Sequence, residues 1–434
     1  MDPSLPATNN IRTATGDKVL QAQLTVQGSW HSAMSRIMAS FKITGPQTSY
    51  DQILNEVSKV LAEQSQESAE ATKSLTIGQR AVFFHSCDQA FEFLHQYLSE
   101  LGCSNVYSYL TVFLDRNAEK RADPGFKIRA SGFSLLRSVC VGTHAVPSAE
   151  DKEFTALLAH EMTHAVSNVE FGTQGGQFIV LKQGLQEFGY QSDLRLAYGS
   201  GLSEAAGRLM GRRYLLDNGY TELDRIDRLV FSKSGAESQS FEALSKLCTE
   251  AEMDGCKVEA NRIEIPMTIR VQVFEGKVTF GGMPSEAYVS SLLRLSHRVF
   301  PHLSERAAER KFEELIIKSD YEGTLSVVNS LISDTVGHPT SLLVSLGVYY
   351  HVAHRIALTA YVEGILNGKD SLRLFFAALN FIEAYNTDGV ETSSNEYFAS
   401  DVRYKNSRWS APLYQSNSMG NIKTKASELT TVWA

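Results

Sequence analysis

The chain is poor in cysteine: Cys87, Cys103, Cys140, Cys248 and Cys256 are scattered over 434 residues and form no CxxC pair. That scarcity argues against a disulfide framework and a cysteine zinc cluster, and points to a reducing compartment at least during synthesis. Positive charge is not in excess either, since 41 Lys and Arg face 49 Asp and Glu for a net charge of −8. No overall field draws the molecule to nucleic acid or to an anionic membrane, so neither is expected as a partner. A glycine-rich phosphate loop, a GxSxG elbow and a locally paired Cys and His are all missing, as is any fixed-period repeat. The opening MDPSLPATNNIRTATGDKVL has no basic region followed by an apolar one, so no Sec-type signal peptide is expected. A cytoplasmic protein, or one delivered by a route independent of a signal peptide, is the expectation. The longest apolar stretch, Ser341 to Leu366, is interrupted by His351, His354 and Arg355, and reads as a buried helix rather than a membrane span.

What the chain does have is ordinary globular composition, 43% apolar and 21% charged residues. Its length predicts two or three subdomains, and α+β is the expected class. Residues 1–75 lean to helix, with Ile53, Val57, Val60 and Leu61 at helical spacing, and close on a polar QSQESAEATKS run that reads as a linker or a solvated helix end. Residues 76–235 mix the two types. An amphipathic helix at DQAFEFLHQYLSEL precedes a strand at NVYSYLTVFLD, and one or two further strands lie in FKIRASGFSLLRSVCVGT. Ser148 and Asp151 then form an N-cap pair for a helix from about 150 to Asn168. Residues 236–390 are mostly helical, with one hairpin turning at Glu275-Gly276, and 391–434 form a polar tail.

The chemistry centres on LLAHEMTHAV, Leu157 to Val166. Residues four apart on a helix share a face, so His160 and His164 can reach one metal ion, while Glu161 projects roughly 100° around the helix beside the open coordination position. Zinc lowers the pKa of its bound water toward about 7, and an adjacent carboxylate can take the proton as the water attacks a carbonyl. Leu157, Leu158, Ala159, Met162, Ala165 and Val166 make the helix largely apolar, and histidines and a glutamate on a buried helix are costly unless coordinated or hydrogen-bonded. The plain alternative is a structural histidine pair on a chance match.

A third ligand must come from elsewhere. In GLSEAAGRLMGRRYL, Gly201 to Leu215, the residues Glu204, Gly207 and Gly211 fall on one helical stripe. Glycine inside a helix costs about 1 kcal/mol relative to alanine, so two on one face call for a reason. Close approach of a second helix supplies one, and Glu204 would then point into that neighbour. The alternative is that Glu204 sits in the first turn and complements the helix dipole.

LLAHEMTHAV followed by GLSEAAGRLM resembles the zincin metallopeptidases of the gluzincin type, over about residues 76–220. The resemblance implies a zincin-like catalytic core of small mixed sheet and active-site helices, which the residue pattern flanks with a helical N-terminal region and a mainly helical C-terminal subdomain. It implies zinc held by His160, His164 and Glu204, Glu161 as the base, and a protein or peptide substrate. It also implies an edge strand before the HExxH helix for substrate to extend, with part of FKIRASGFSLLRSVCVGT as the candidate. The thermolysin-like branch carries an aspartate four residues after its ligand glutamate, whereas this chain has Arg208. Two rival carboxylates stay open. Glu170 falls where metzincins place a third ligand, and NEYFASDVRYK is similar to a segment of anthrax lethal factor-like peptidases, which would make Glu396 the ligand. An aspzincin-type GTxD is hinted at by GTQGG, but Gly175 stands where the aspartate belongs. His338, Tyr350 and His351 are the candidate oxyanion donors; His297, His302, His31, His85 and His95 receive no role. The competing function is a mainly helical interaction protein, or an inactive zincin-like relative in which HExxH is structural.

Overall fold

A computed structural model of the chain describes residues 68–103, 111–116, 128–130, 138–174, 177–191, 194–233, 238–279, 285–337 and 352–387, together with a short strand β1, Lys42–Ile43. The described residues mix helices with small sheets, as an α+β protein does. They divide into two compact units that interleave along the chain. Unit 1 comprises Met1–Gly184, Ala206–Asn218 and Asp320–Gly323; unit 2 comprises Leu185–Ala205, Gly219–Ser319 and Thr324–Ala434.

In unit 1 residues 68–74 are helical and bury Ser68, Ala71 and Thr72. The Ser68 hydroxyl accepts the Leu114 amide at 2.9 Å, so the end of the polar QSQESAEATKS run is a packed helix and not a solvated one. Helix α1, Ile77–Glu100, starts at a capping box between Thr76 and Gln79 and buries Phe83, Cys87, Ala90, Phe91, Leu94 and Leu98, a stripe at three- and four-residue spacing. Strands β2 (Thr111–Asp115), β3 (Ile128–Ala130) and β4 (Ser138–Gly142) form a sheet with β4 in the middle, parallel to β2 and antiparallel to β3. Among the described strands, FKIRASGFSLLRSVCVGT thus yields both a central strand and, in β3, an edge one.

Helix α2, Lys152–Val166, follows and packs on α1, β3 and β4. Its N-cap is Asp151 alone, whose Oδ1 accepts the amides of Glu153 at 2.8 Å and Phe154 at 3.3 Å. Its far end is clamped by residues returning from much later in the chain. The Ser167 hydroxyl donates to Oδ2 of the fully buried Asp320 at 2.6 Å, and the Asn168 amide donates to the Tyr321 carbonyl at 2.9 Å. Strands β5 (Val169–Gln174) and β6 (Gln177–Gln183) then pair antiparallel, with β1 parallel on the other side of β5.

Unit 2 opens with the antiparallel pair β7 (Gln186–Gln191) and β8 (Leu194–Tyr198). Helix α3, Ser200–Asp217, is continuous across the division, and its greater part, from Ala206, belongs to unit 1. The rest of unit 2 is a long ribbon dressed with helices. Strand β9 (Thr221–Ser232) pairs antiparallel with β11 (Arg262–Phe274) from Thr221 opposite Val273 to Ser232 opposite Arg262. β11 also pairs with β10 (Lys257–Val258) and with β12 (Lys277–Thr279). The β11–β12 turn is the expected one, with Glu275 and Gly276 at φ of 49° and 76°, the left-handed pair that a tight hairpin requires.

The alternate residues Ile263, Ile265, Met267, Ile269 and Val271 of β11 are buried. Helices α4 (Gln239–Ala251) and α5 (Ser285–Val299) pack on this strand, and α6 (Glu305–Glu322) follows α5. Helices α7 (Leu325–Val336), α8 (Val352–Leu366) and α9 (Ser371–Thr387) complete the unit, α7 packing on α5 and α8 packing on α4, α5 and α9. Arg294 of α5 pairs with Glu363 of α8 across one of these contacts. All five cysteines are free thiols and four of them are buried, which agrees with a chain that holds no disulfide framework. Among the described residues no helix is long and apolar enough to cross a membrane.

The cap on α2 generates a prediction. Replacing Asp151 by Ala should lower thermal stability by about 1 kcal/mol, whereas Asp151→Asn should keep most of it. Equal melting temperatures for wild type and Asp151→Ala would show that the cap contributes nothing.

Candidate metal centre

His160, Glu161 and His164 lie in the last two turns of α2, as the spacing predicts. The two imidazoles converge: their Nε2 atoms are 3.3 Å apart, with the rings nearly perpendicular at 77°. His160 is buried, while Glu161 and His164 are half-buried.

Glu204 completes the group. One ligand atom from each of His160, His164 and Glu204 lies within 4.8 Å of the others. Helix α3 begins at Ser200 and has no acidic residue in its first turn, so Glu204 stands in the second turn, beyond the reach expected of a dipole partner. The glycine stripe accounts for how the helices meet. A Cβ on Gly207 would come within 2.8 Å of His164 Nε2 and 3.1 Å of His160 Nε2, and one on Gly211 within 2.8 Å of the Ala156 carbonyl oxygen. At both positions any side chain would occupy space that α2 already fills. Tyr214, one turn beyond Gly211 on the same stripe, also holds the helix, edge-on to Phe93 at 5.2 Å, with its hydroxyl donating to Gln89 at 3.3 Å. Burial there pushes the Tyr214 phenol above its ordinary range.

The donor set fits zinc. Tetrahedral zinc with Zn–N bonds near 2.0–2.1 Å sets its nitrogen ligands about 3.3–3.4 Å apart, which matches the Nε2 separation. Two imidazoles and one carboxylate leave a fourth position open, the pattern of hydrolytic rather than structural zinc sites. Gly207 matters to that fit, because the cradle it leaves is just where both Nε2 atoms point.

The remaining candidates fall elsewhere. Glu170 lies on β5, in register with Lys42 of β1 and Lys182 of β6. Glu396, His338, Tyr350 and His351 lie outside the described residues. Arg208 is half-buried on α3, one turn beyond Glu204. The clamp of Ser167 on Asp320 was invisible to motif reading, since 153 residues separate the partners and neither belongs to a recognisable pattern. Comparison with protein-family models, curated proteins and solved structures returns no match.

Two glycine substitutions probe this geometry separately. Gly207→Ala should weaken zinc binding about 10–100-fold, the range that follows when the surroundings of a ligand are disturbed, with little loss of stability. Gly211→Ala, which meets a backbone carbonyl that cannot rotate away, should destabilise the protein by about 1–3 kcal/mol. Zinc titration and thermal denaturation of both variants distinguish the two effects; a Gly207→Ala protein with wild-type affinity would mean that the imidazoles are not held where zinc needs them.

Proposed function

We propose that the chain is a zinc-dependent metalloendopeptidase of the gluzincin-like kind, hydrolysing peptide bonds in a protein substrate. The carrying observation is the convergence of both HExxH imidazoles with Glu204, on helices that a pair of glycines brings together. His160, His164 and Glu204 would hold the ion. When bound, zinc would supply Lewis-acid polarisation and bring the pKa of water toward about 7.

The chain's own part is positioning and proton transfer. Glu161 follows His160 directly and projects around the helix from the ligand face, half-buried, where a carboxylate can accept a proton from water and return it to the leaving amine. His160, packed in the α2 core, fixes one coordination direction. Glu204 brings a negative charge that offsets that of a dication. Strand β3 supports the substrate side of the reading, because it lies at a sheet edge against α2, where an extended peptide could add as a further strand through main-chain hydrogen bonds.

Zinc content and cleavage test different parts of this scheme. Glu204→Ala should lower the bound zinc by one per chain, whereas Glu170→Ala and Glu396→Ala should leave the zinc content unchanged, as read by elemental analysis of purified protein. The reverse ranking would reassign the third ligand. Glu161→Gln should retain zinc and lose about 10²–10⁴-fold of the cleavage rate on a peptide library, the usual share of a general base. A wild-type protein that holds no zinc under metal-replete conditions would leave the histidine pair as a structural hydrogen bond and sink the proposal.

A further inference from the structure

Unit 2 contains a second group of metal-ligating side chains, at the corner where α5 turns into α6. His297 lies in the last turn of α5, Glu305 opens α6, and Glu309 stands one turn further along. The four-residue spacing puts both carboxylates on one face of α6, toward the end of α5. One ligand atom from each of the three residues lies within 4.8 Å of the others.

Two features distinguish this corner from a surface ion pair. Glu309 is only 8% exposed, and its Oε1 is sealed from solvent with no hydrogen-bond partner. His297 Nε2 is sealed in the same way, and lies 3.7 Å from Glu305 Oε1, beyond hydrogen-bonding distance. A cation between the three groups would engage the buried Glu309 Oε1 and His297 Nε2 together.

The other oxygen of Glu309 is already used. It accepts from Arg270 Nη1 at 2.6 Å, and Arg270 Nε donates to Asp224 at 3.0 Å. This orients Glu309 and leaves Oε1 as a monodentate ligand. Within the connected set, the carboxylates of Asp224, Glu305 and Glu309 stand against one guanidinium. The carboxylates exceed the guanidinium by two charges, which a divalent ion would balance.

We propose that His297, Glu305 and Glu309 form a second metal site, for a divalent transition-metal ion with zinc as the reference, which ties the end of α5 to the start of α6. One imidazole with two carboxylates is a borderline donor set, suited to zinc more than to calcium or magnesium. Ligand atoms around zinc lie about 3–3.5 Å apart, so the residues must draw in by roughly an ångström. Glu305 can supply that movement, since its side chain is 75% exposed. The site is structural in character and independent of the peptidase reading.

The test uses the full chain carrying His160→Ala and His164→Ala, titrated calorimetrically with Zn2+ alone. One Zn2+ per chain is expected, with affinity lowered about tenfold or more by a further Glu305→Ala or His297→Ala, and with a melting temperature that rises on zinc addition only while those two residues are intact. In the otherwise wild-type protein, His297→Ala should remove one bound zinc and leave peptide cleavage unchanged. The proposal is overturned if the double variant takes up no Zn2+, if neither further substitution changes the affinity, or if His297→Ala alone keeps the full wild-type zinc complement.

Discussion

The distance between α2 and α3 governs the candidate centre. Helices in globular proteins usually pack with axes 8–10 Å apart, and the side chains at the contact decide where in that range they settle. Here α3 presents no side chain at Gly207 and Gly211, and the atoms lying against those positions are the two imidazoles and the Ala156 carbonyl. Each glycine weakens α3 as an isolated helix by about 1 kcal/mol. Packing must offset that cost, and the same packing brings Glu204 within ligand distance of both histidines. Helix propensity and site geometry thus pull in opposite directions along α3, with the geometry taking precedence.

A close contact is useful only if neither partner can drift. Helix α2 is capped by Asp151, packed on α1, β3 and β4, and clamped at its last turn by Asp320. Helix α3 is held by Tyr214 against Phe93 and Gln89 of α1. Both helices therefore rest on α1, and α3 does so through Phe93 and Gln89. The imidazoles inherit their positions from this scaffold, which suits chemistry in which a small displacement of the reacting groups is costly.

Much of this was legible in the sequence because it is local. The HExxH spacing, the glycine stripe of α3, the β11–β12 turn at Glu275-Gly276 and the helices α5, α6 and α9 follow from periodicity and turn chemistry within short windows. Strand β9 is hard to read from sequence, because five of the twelve residues in TELDRIDRLVFS are charged and most of its residues are exposed. It is held by twelve-position pairing with β11 and by cross-strand pairs such as Arg228 with Glu264. The helix at 68–74 was masked by polar composition, since its buried face is made of Ser68, Ala71 and Thr72 and carries no strong apolar signal. The corner of His297, Glu305 and Glu309 escaped notice for a different reason. Its ligands have the right types, but the turn that folds α5 back toward α6 has no spacing rule that would announce it. In each case what was missed depends on a partner distant in sequence or on the angle of a turn.

The interleaving of the units bears on how the chain assembles. Unit 1 needs the segment Asp320–Gly323 to finish it, and that segment is separated from the end of α2 by about a third of the chain. During synthesis from the N-terminus, the histidine-bearing helix, α1 and the small sheet emerge long before Asp320 does. Until then Ser167 lacks its carboxylate and the last turn of α2, where His164 sits, has no clamp. A loop that long is slow to close, and closing it comes late. The chain thus withholds a fully ordered histidine pair until most of it has been made. For a molecule proposed to cut proteins, that order of events would keep the cutting centre immature while the nascent chain itself is the nearest peptide.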